Sequence, residues 1–335
     1  MSGGLPSGAG TDKGALRELV PGYQVLCTRF AAVVPLYIPV LTGPEGVVLI
    51  DSGISDTPRQ AIGPALKGIG RGLEQIRAVA LTHGHHDHFG GLAQIKEFAP
   101  DAQVAAHHAD ARWVEDFGRY WRELFERHLP EIDPGPGERS VVLEQAGHPV
   151  AVDRPLAPGD LLDTWGCPPL YVINAHGAHS AGSVGYFQPD HGVLATGDSL
   201  QLSGTSLVDG SEAFPIYEDI DAYRAMLAEF EAVGFRWLVD AHRGVLDEER
   251  GRELLRHCRE FPERFSEQLA DLFADDDAPR TLREAAEETG ARHYPRANRT
   301  AQLYITTELH LRRLVRDGVL VARIEHGTKT WRAAA

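Results

Sequence analysis

Between Thr82 and Gly91 the chain reads THGHHDHFGG, which sets His83, His85, Asp87 and His88 in an H-x-H-x-D-H arrangement. Two histidines two residues apart on a loop can converge on one ion. Asp87 and His88, leading into the next helix, can face a second ion beside it. Imidazole and carboxylate ligands suit Zn²⁺, Mn²⁺ or Fe²⁺. The apolar run Ile76–Leu81 precedes the cluster and suits a buried strand, so the cluster terminates a strand. Three further candidates stand where a strand pattern runs out: His179 after PLYVINA, Asp198 ending GVLATGD and His242 after RWLVDA. Open α/β sheets place their ligands at such ends. His176 is a rival to His179, and His86, between the two paired positions of the cluster, reads as a solvent-facing or supporting side chain.

The elements that must position these residues alternate. Strands are expected at YQVLCTRF, VVPLYIPVL and GVVLIDSG, with a hairpin turn at residues 43–46. Helix follows over Thr57–Leu73 and Gly90–Phe98, and strand over Gln103–Ala106. Trp113, Phe117, Trp121, Leu124 and Phe125 form a helical stripe within 110–128, ended by Pro130, Pro134 and Pro136. VVLE at 141–144, PLYVINA, SVGYFQ, GVLATGD and RWLVDA read as strands. Helices are expected at Ala222–Val233 and from Glu248 onward. Such alternation predicts a layered α/β domain with helices on both sheet faces.

The 335 residues allow two domains, or one large one with an appendage. The expected division is a flexible leader over 1–20, a main domain over 21–274 with a helical insertion at 110–130, an acidic linker at 275–279 and a module over 278–335. That module holds eleven Lys and Arg against six Asp and Glu, a net of +5, which leaves −20 of the total −15 on the rest. Its pattern is two helices, Leu282–Thr289 and Ala301–Asp317, then a hairpin turning at His326-Gly327, which resembles a winged helix. The acidic total disfavours nucleic acid as the partner of the whole chain. The longest apolar stretch, Ala31–Leu41, contains Pro35 and Pro39 and is too short to span a membrane. No secretory signal is read at the N-terminus, and three scattered cysteines fit a reduced cytoplasm.

Taken together, HGHHDH, HSAGS at 179–183, the Gly197-Asp198 pair, His242 and Asp51 in LIDSG resemble the metallo-β-lactamase-fold hydrolases in order and spacing. Ala181 stands where the family usually has proline. The resemblance covers roughly residues 20–245. It implies an αββα sandwich with a C-terminal helical, winged-helix-like module such as those of lactamase-like protein 2 and related thioesterases. It also implies two metal sites: His83, His85 and His179 in one, Asp87, His88 and His242 in the other, with Asp198 bridging both. Asp51 is expected to orient the HxHxDH loop by hydrogen bonds. An aspartate at 198, where a class B1 β-lactamase carries cysteine, moves the expectation towards glyoxalase II, lactonase, thioesterase and ribonuclease relatives.

Two divalent ions, Zn²⁺ by default with Fe or Mn open, would be ~3.5–4 Å apart and would lower the pKa of a water held between them. Asp87 is a candidate to take up a proton, and Tyr217 a candidate oxyanion donor. The expected reaction is hydrolysis of a thioester, ester or lactone of a small or acyl-carrier-linked substrate. Cleavage of RNA phosphodiesters, or another metal-dependent reaction in the same fold, is the alternative. The aromatic stripe and the loop Leu200–Pro215 would flank an apolar cleft. The basic module is expected to dock on its own catalytic domain or a second subunit, not to grip nucleic acid with Arg296, Arg299, Arg312, Arg313 and Arg316.

Overall fold

The computed structural model describes residues 14, 16–30, 34–127, 129, 133–167, 169–202, 205–206, 212–274, 278–297, 301–325 and 327–334. Most of the expected leader, residues 275–277 of the linker, Arg299, His326 and part of the loop 200–215 lie outside them.

The first sheet has seven strands in sequence order: β1 (Leu16–Val20), β2 (Tyr23–Phe30), β3 (Val34–Thr42), β4 (Val47–Ile50), β5 (Ile76–Ala80), β6 (Gln103–His107) and β7 (Arg154–Leu156). Strands β1 to β4 form an antiparallel meander, and β4 to β7 run parallel. The parallel part needs crossovers. They carry α1 (Gly63–Gly68), α2 (His86–Phe89), α3 (Leu92–Phe98), α4 (His108–Glu115), α5 (Phe117–Leu124) and α6 (Gly135–Ala146). The second sheet is ordered β15-β14-β11-β10-β9-β8. Its strands are β8 (Leu161–Leu162), β9 (Leu170–Asn174), β10 (Val184–Gln188), β11 (Val193–Gly197), β14 (Trp237–Asp240) and β15 (Gly244–Asp247). A short ribbon, β12 (Thr205–Ser206) with β13 (Glu212–Ala213), precedes α7 (Ile220–Ala232), and α8 (Glu248–Ala274) follows β15.

Both faces of both sheets are covered, which explains why the strands read as nearly continuous apolar runs. Along β4, Val48 and Ile50 face the second sheet and meet Tyr186, Val184 and Val239 between the layers. Val47 and Leu49 point the other way, into the core under α1 and α3 to α5. The outer face of the second sheet is capped by Met226, Leu227 and Phe230 of α7 and by Leu254, Phe261 and Phe265 of α8. The expected αββα sandwich is what forms.

The C-terminal part contributes β16 (Arg280–Thr281), α9 (Leu282–His293), α10 (Ala301–Arg316), β17 (Leu320–Glu325) and β18 (Thr328–Ala333), with the strands ordered β16-β18-β17. Thr281 caps α9 reciprocally with Glu284. Leu303, Leu311, Leu314, Leu320 and Trp331 share one core with Phe261, Phe265 and Phe273 of α8. Arg313 pairs with Glu263 at 3.1 Å and Arg316 with Asp221 at 2.7 Å, so the basic part meets acids of α8 and α7.

Four local expectations fail. Leu16–Val20, at the end of the expected leader, is strand β1, paired antiparallel with β2. VVLE at 141–144 is helical, inside α6. Val142 and Ala146, one turn apart, are buried while Val141 is exposed, and Gly147 at φ 73° ends the helix. The 110–128 stripe is two helices rather than one. Asp116 is extended, and its carboxylate receives the Arg119 N–H at 2.9 Å, so it starts α5. The expected helix over 57–73 stops at Gly68, with Gly70 at φ 72° in the turn beyond.

Candidate metal centre

Each candidate ligand stands just past the C-terminal end of a strand, on one rim of the sandwich. β5 delivers His83, His85, Asp87 and His88; the turn after β9 delivers His179; β11 delivers Asp198 and β14 delivers His242. Asp198 follows Gly197 at φ 53°, where a Cβ would lie 2.4 Å from Thr82 Oγ1. Only glycine lets β11 turn this close to the HxHxDH loop.

The side chains gather in two adjoining groups. Ligand atoms of His83, His85 and His179 lie within 4.8 Å of one another, and so do those of Asp87, His88, Asp198 and His242. Asp198 touches both: its carboxylate is 3.7 Å from His179 Nε2, 3.4 Å from His88 Nε2 and 3.0 Å from His242 Nε2. The outward nitrogens are held. His83 Nδ1 is 3.1 Å from Thr82 Oγ1 and His88 Nδ1 is 2.9 Å from Asp51. His179 Nδ1 is 3.3 Å from the Ile216 carbonyl, and His242 Nδ1 is 2.7 Å from the Pro35 carbonyl. Holding Nδ1 in this way leaves Nε2 as the atom turned towards the group. Four buried atoms, Nε2 of His83, His85 and His88 and Oδ1 of Asp198, have no hydrogen-bond partner. Buried polar atoms are almost always satisfied, so four orphans at one place fit a cation.

The electrostatics differ between the groups. Burial, then the neighbouring imidazoles, pushes His83 and His85 well below the ordinary histidine range. Burial also lowers His179, against the pull of Asp198. These three are neutral and ready to ligate. In the other group burial pushes His88 down, but Asp198, Asp87 and Asp51 outweigh it and hold it well above 6.5. His242 is likewise carried up to about 9: burial opposes the rise, and the charge and hydrogen bond of Asp198 dominate. Burial would raise Asp198, yet His242 and His88 hold it well below the usual carboxylate range. The acids of this group favour positive charge beside them, which a divalent ion would supply.

Five of the seven candidate ligands, His85, Asp87, His179, Asp198 and His242, line a cavity of about 280 Å³. Its walls are largely apolar: Tyr120, Leu124 and Phe125 from the α5 region, Val142 from α6, and Ile305 from α10, with Phe214 and Ile216 beside them.

The family model of the metallo-β-lactamase superfamily matches residues 37–248. The chain belongs to that superfamily. Over 190 residues it is 26% identical to the probable metallo-hydrolase YflN of Bacillus subtilis (strain 168), covering 56% of this chain and 67% of that protein. Over 161 residues it is 30% identical to a hydroxyacylglutathione hydrolase of Rhodobacter capsulatus, covering 48% of this chain and 47% of the relative. The chain thus spans two thirds of the first relative and about half of the second. A metallo-β-lactamase family protein from Thermus thermophilus superposes with a TM-score of 0.73 at 20% identity, over 94% of this chain and all of the other. A β-lactamase domain protein from Burkholderia ambifaria gives 0.70 at 17% identity, over 98% and 96%. The first of these relatives is named a probable metallo-hydrolase, and the metallo-β-lactamase fold fits divalent metal at these two groups.

Within this superfamily site, the sequence reading placed seven ligand candidates, and all seven converge. His176 stays apart: its Nδ1 faces the Ser183 carbonyl at 3.3 Å and its ring packs on His107. His86 supports from outside, bonded to Tyr120 Oη at 2.9 Å and Gln145 Oε1 at 3.0 Å. The aromatic stripe is both core and wall, since Trp113, Phe117 and Trp121 are buried while Tyr120, Leu124 and Phe125 reach the cavity.

Tyr217 is a correction. It is fully buried, it is not among the residues lining the cavity, and its hydroxyl contacts His310 Nε2 at 2.6 Å. It is therefore not placed to donate to an oxyanion at the metal groups.

Asp110 was missed. Wholly buried, it receives the N–H of Gly84 and of Gly182, each at 2.8 Å, and the Ser180 hydroxyl. Burial pushes its carboxyl up, against these three bonds. It staples the HxHxDH loop to the HSAGS turn. Its one signal in the sequence is its place just beyond β6, on the same rim.

Proposed function

We propose that this chain is a dinuclear metal-dependent hydrolase acting on the carbonyl of a thioester, ester or lactone with an apolar acyl group. The observation that carries the reading is the meeting of seven candidate ligand side chains, with four orphaned buried atoms, five of the seven lining a mostly apolar cavity. His83, His85 and His179 would hold one ion, and Asp87, His88 and His242 the other, with Asp198 shared. Zn²⁺ suits a nitrogen-rich set. Bound there, two divalent ions supply an activated water and Lewis acidity towards the carbonyl oxygen.

The chain's own residues do the rest. Asp198 offsets the repulsion between adjacent cations. Asp87, at the cavity wall, accepts a proton as the acyl bond breaks. Tyr120, Leu124, Phe125 and Ile305 exclude water from the acyl group and orient it. The hydroxyacylglutathione hydrolase likeness supports thioester chemistry, and three free cysteines with none among the ligand groups support a reducing, cytoplasmic setting.

A nuclease reading has less support. Arg313 and Arg316 are spent on Glu263 and Asp221, Arg312 on Glu308, and Arg296 on Glu212. No helix among the described residues is long and apolar enough to cross a membrane. The deciding experiment is a panel of acyl thioesters, esters, lactones, β-lactams and phosphodiesters offered to Zn²⁺-loaded protein. Turnover of acyl substrates is expected, and turnover confined to phosphodiesters would replace the reading.

A further inference from the structure

The segment Pro215–Tyr217 lies between the metal groups and α10 and is anchored on both sides of Ile216. On one side, Thr306 of α10 donates its hydroxyl to the Pro215 carbonyl. On the other, Tyr217 Oη meets His310 Nε2 at 2.6 Å, and His310 Nδ1 meets Ser266 Oγ of α8 at 2.7 Å. Thr306 and His310 are fully buried. Between these anchors the Ile216 N–H donates to Gln201 Oε1 at 3.2 Å, and the Ile216 carbonyl receives His179 Nδ1–H at 3.3 Å. Gln201 in turn donates to the carbonyl of Asp198. Ile305, next to Thr306, packs in the same core as Ile216.

We propose that α10 is a positioning element for the metal centre: Thr306 and His310 fix the Pro215–Tyr217 segment, whose Ile216 carbonyl sets the orientation and tautomer of His179. The C-terminal part would then be needed for metal affinity as well as for stability. The proposal rests on the reading of His83, His85 and His179 as one metal group. The physical ground is that a ligand imidazole is aimed by whatever holds its other nitrogen, and loss of such a partner typically costs about 10–100-fold in metal affinity.

The test uses full-length protein and stepwise Zn²⁺ affinities measured by competition with a chromophoric chelator, alongside the thermal stability of each metal-free variant. His179→Ala identifies which of the two equivalents belongs to its group. Thr306→Val, which loosens the segment but keeps the Ile216 carbonyl, should weaken that same equivalent by about 10-fold, the low end of the range for outright loss of the partner, and leave the other nearly unchanged. Thr306→Ser, which keeps the hydroxyl, should restore it. Thr307→Val is the control: Thr307 is equally buried on α10, but its hydroxyl bonds the Leu303 carbonyl of its own helix at 2.7 Å. It should leave both affinities at the wild-type level. Should Thr306→Val not fold, Tyr217→Phe probes the other anchor and is expected to weaken the same equivalent. Wild-type affinities in folded Thr306→Val or in Tyr217→Phe, or equal losses in Thr306→Val and Thr307→Val, would overturn the proposal. Wild-type protein that binds fewer than two ions would instead sink the dinuclear reading on which it rests.

Discussion

Asp51 Oδ2 lies 2.9 Å from His88 Nδ1 and 2.8 Å from Thr82 Oγ1, while Asp51 Oδ1 receives the Thr82 N–H at 2.8 Å. One carboxylate at the end of β4 thus fixes both the start of the HxHxDH loop and the ring of its last histidine. Asp51 does so from φ 68°, a left-handed conformation that costs most residues energy and that Asp and Asn tolerate best. Asp51→Asn keeps that backbone but turns a donor towards the Thr82–His88 pair. The His88 proton would then favour Nε2, the atom needed for metal. We expect one metal equivalent to weaken by about 10–100-fold with little loss of fold, read by chelator competition. Unchanged affinity would show that Asp51 does not control the His88 tautomer.

Asp198→Ala should lose turnover on any substrate and at least one ion, because Asp198 belongs to the group of Asp87, His88 and His242 and also reaches His179 of the other group at 3.7 Å. Elemental analysis after metal loading and gel filtration gives the stoichiometry. Two retained ions with most of kcat intact would remove Asp198 from the shared position.

Asp110→Ala should release the turn that carries His179. Gly84 and Gly182 would lose their buried acceptor, and an unsatisfied buried group costs about 1–3 kcal/mol. The expected result is a folded protein with lowered Tm and lowered affinity for the ion held by His83, His85 and His179. A normal Tm and normal metal binding would make Asp110 dispensable.

His310 gives a pH dependence. Burial, then the Arg313 charge, holds it at about 3 against 6.5 when unfolded. Between those values the unfolded chain binds the extra proton, so this residue's contribution to stability falls as pH drops through 6.5 towards 3. The slope is about 1.4 kcal/mol per pH unit at most. Urea titrations of wild type and His310→Leu at pH 7 and pH 4.5 should show the gap between them narrowing at the lower pH. A gap independent of pH would mean that His310 is not held neutral.

Ile305→Trp should fill part of the cavity of about 280 Å³ from the α10 side. With a series of acyl thioesters of increasing chain length, kcat/KM should fall for the longer members and stay near wild type for acetyl. Equal effects across the series would place the acyl group elsewhere.

The sequence by itself put forward the ligand candidates and the layered fold, because the signals of both are local or periodic. The HxHxDH spacing, the strand-end positions of His179, Asp198 and His242, and the apolar runs of two-sided strands all lie within short windows. Local windows also explain the failures. VVLE is β-branched enough to suggest a strand, yet its neighbours bury it on one helical face, and tertiary packing overrides so weak a preference. Only the tertiary structure decided between His176 and His179, because both lie on one turn and the choice depends on which ring faces His83 and His85. It also took Tyr217 away from the chemistry and gave it to His310, and it brought Asp110 to two loops distant in sequence. Those pairings are contacts between side chains far apart along the chain. No spacing encodes them, and they exist only once two sheets and the C-terminal helices have packed around a common rim.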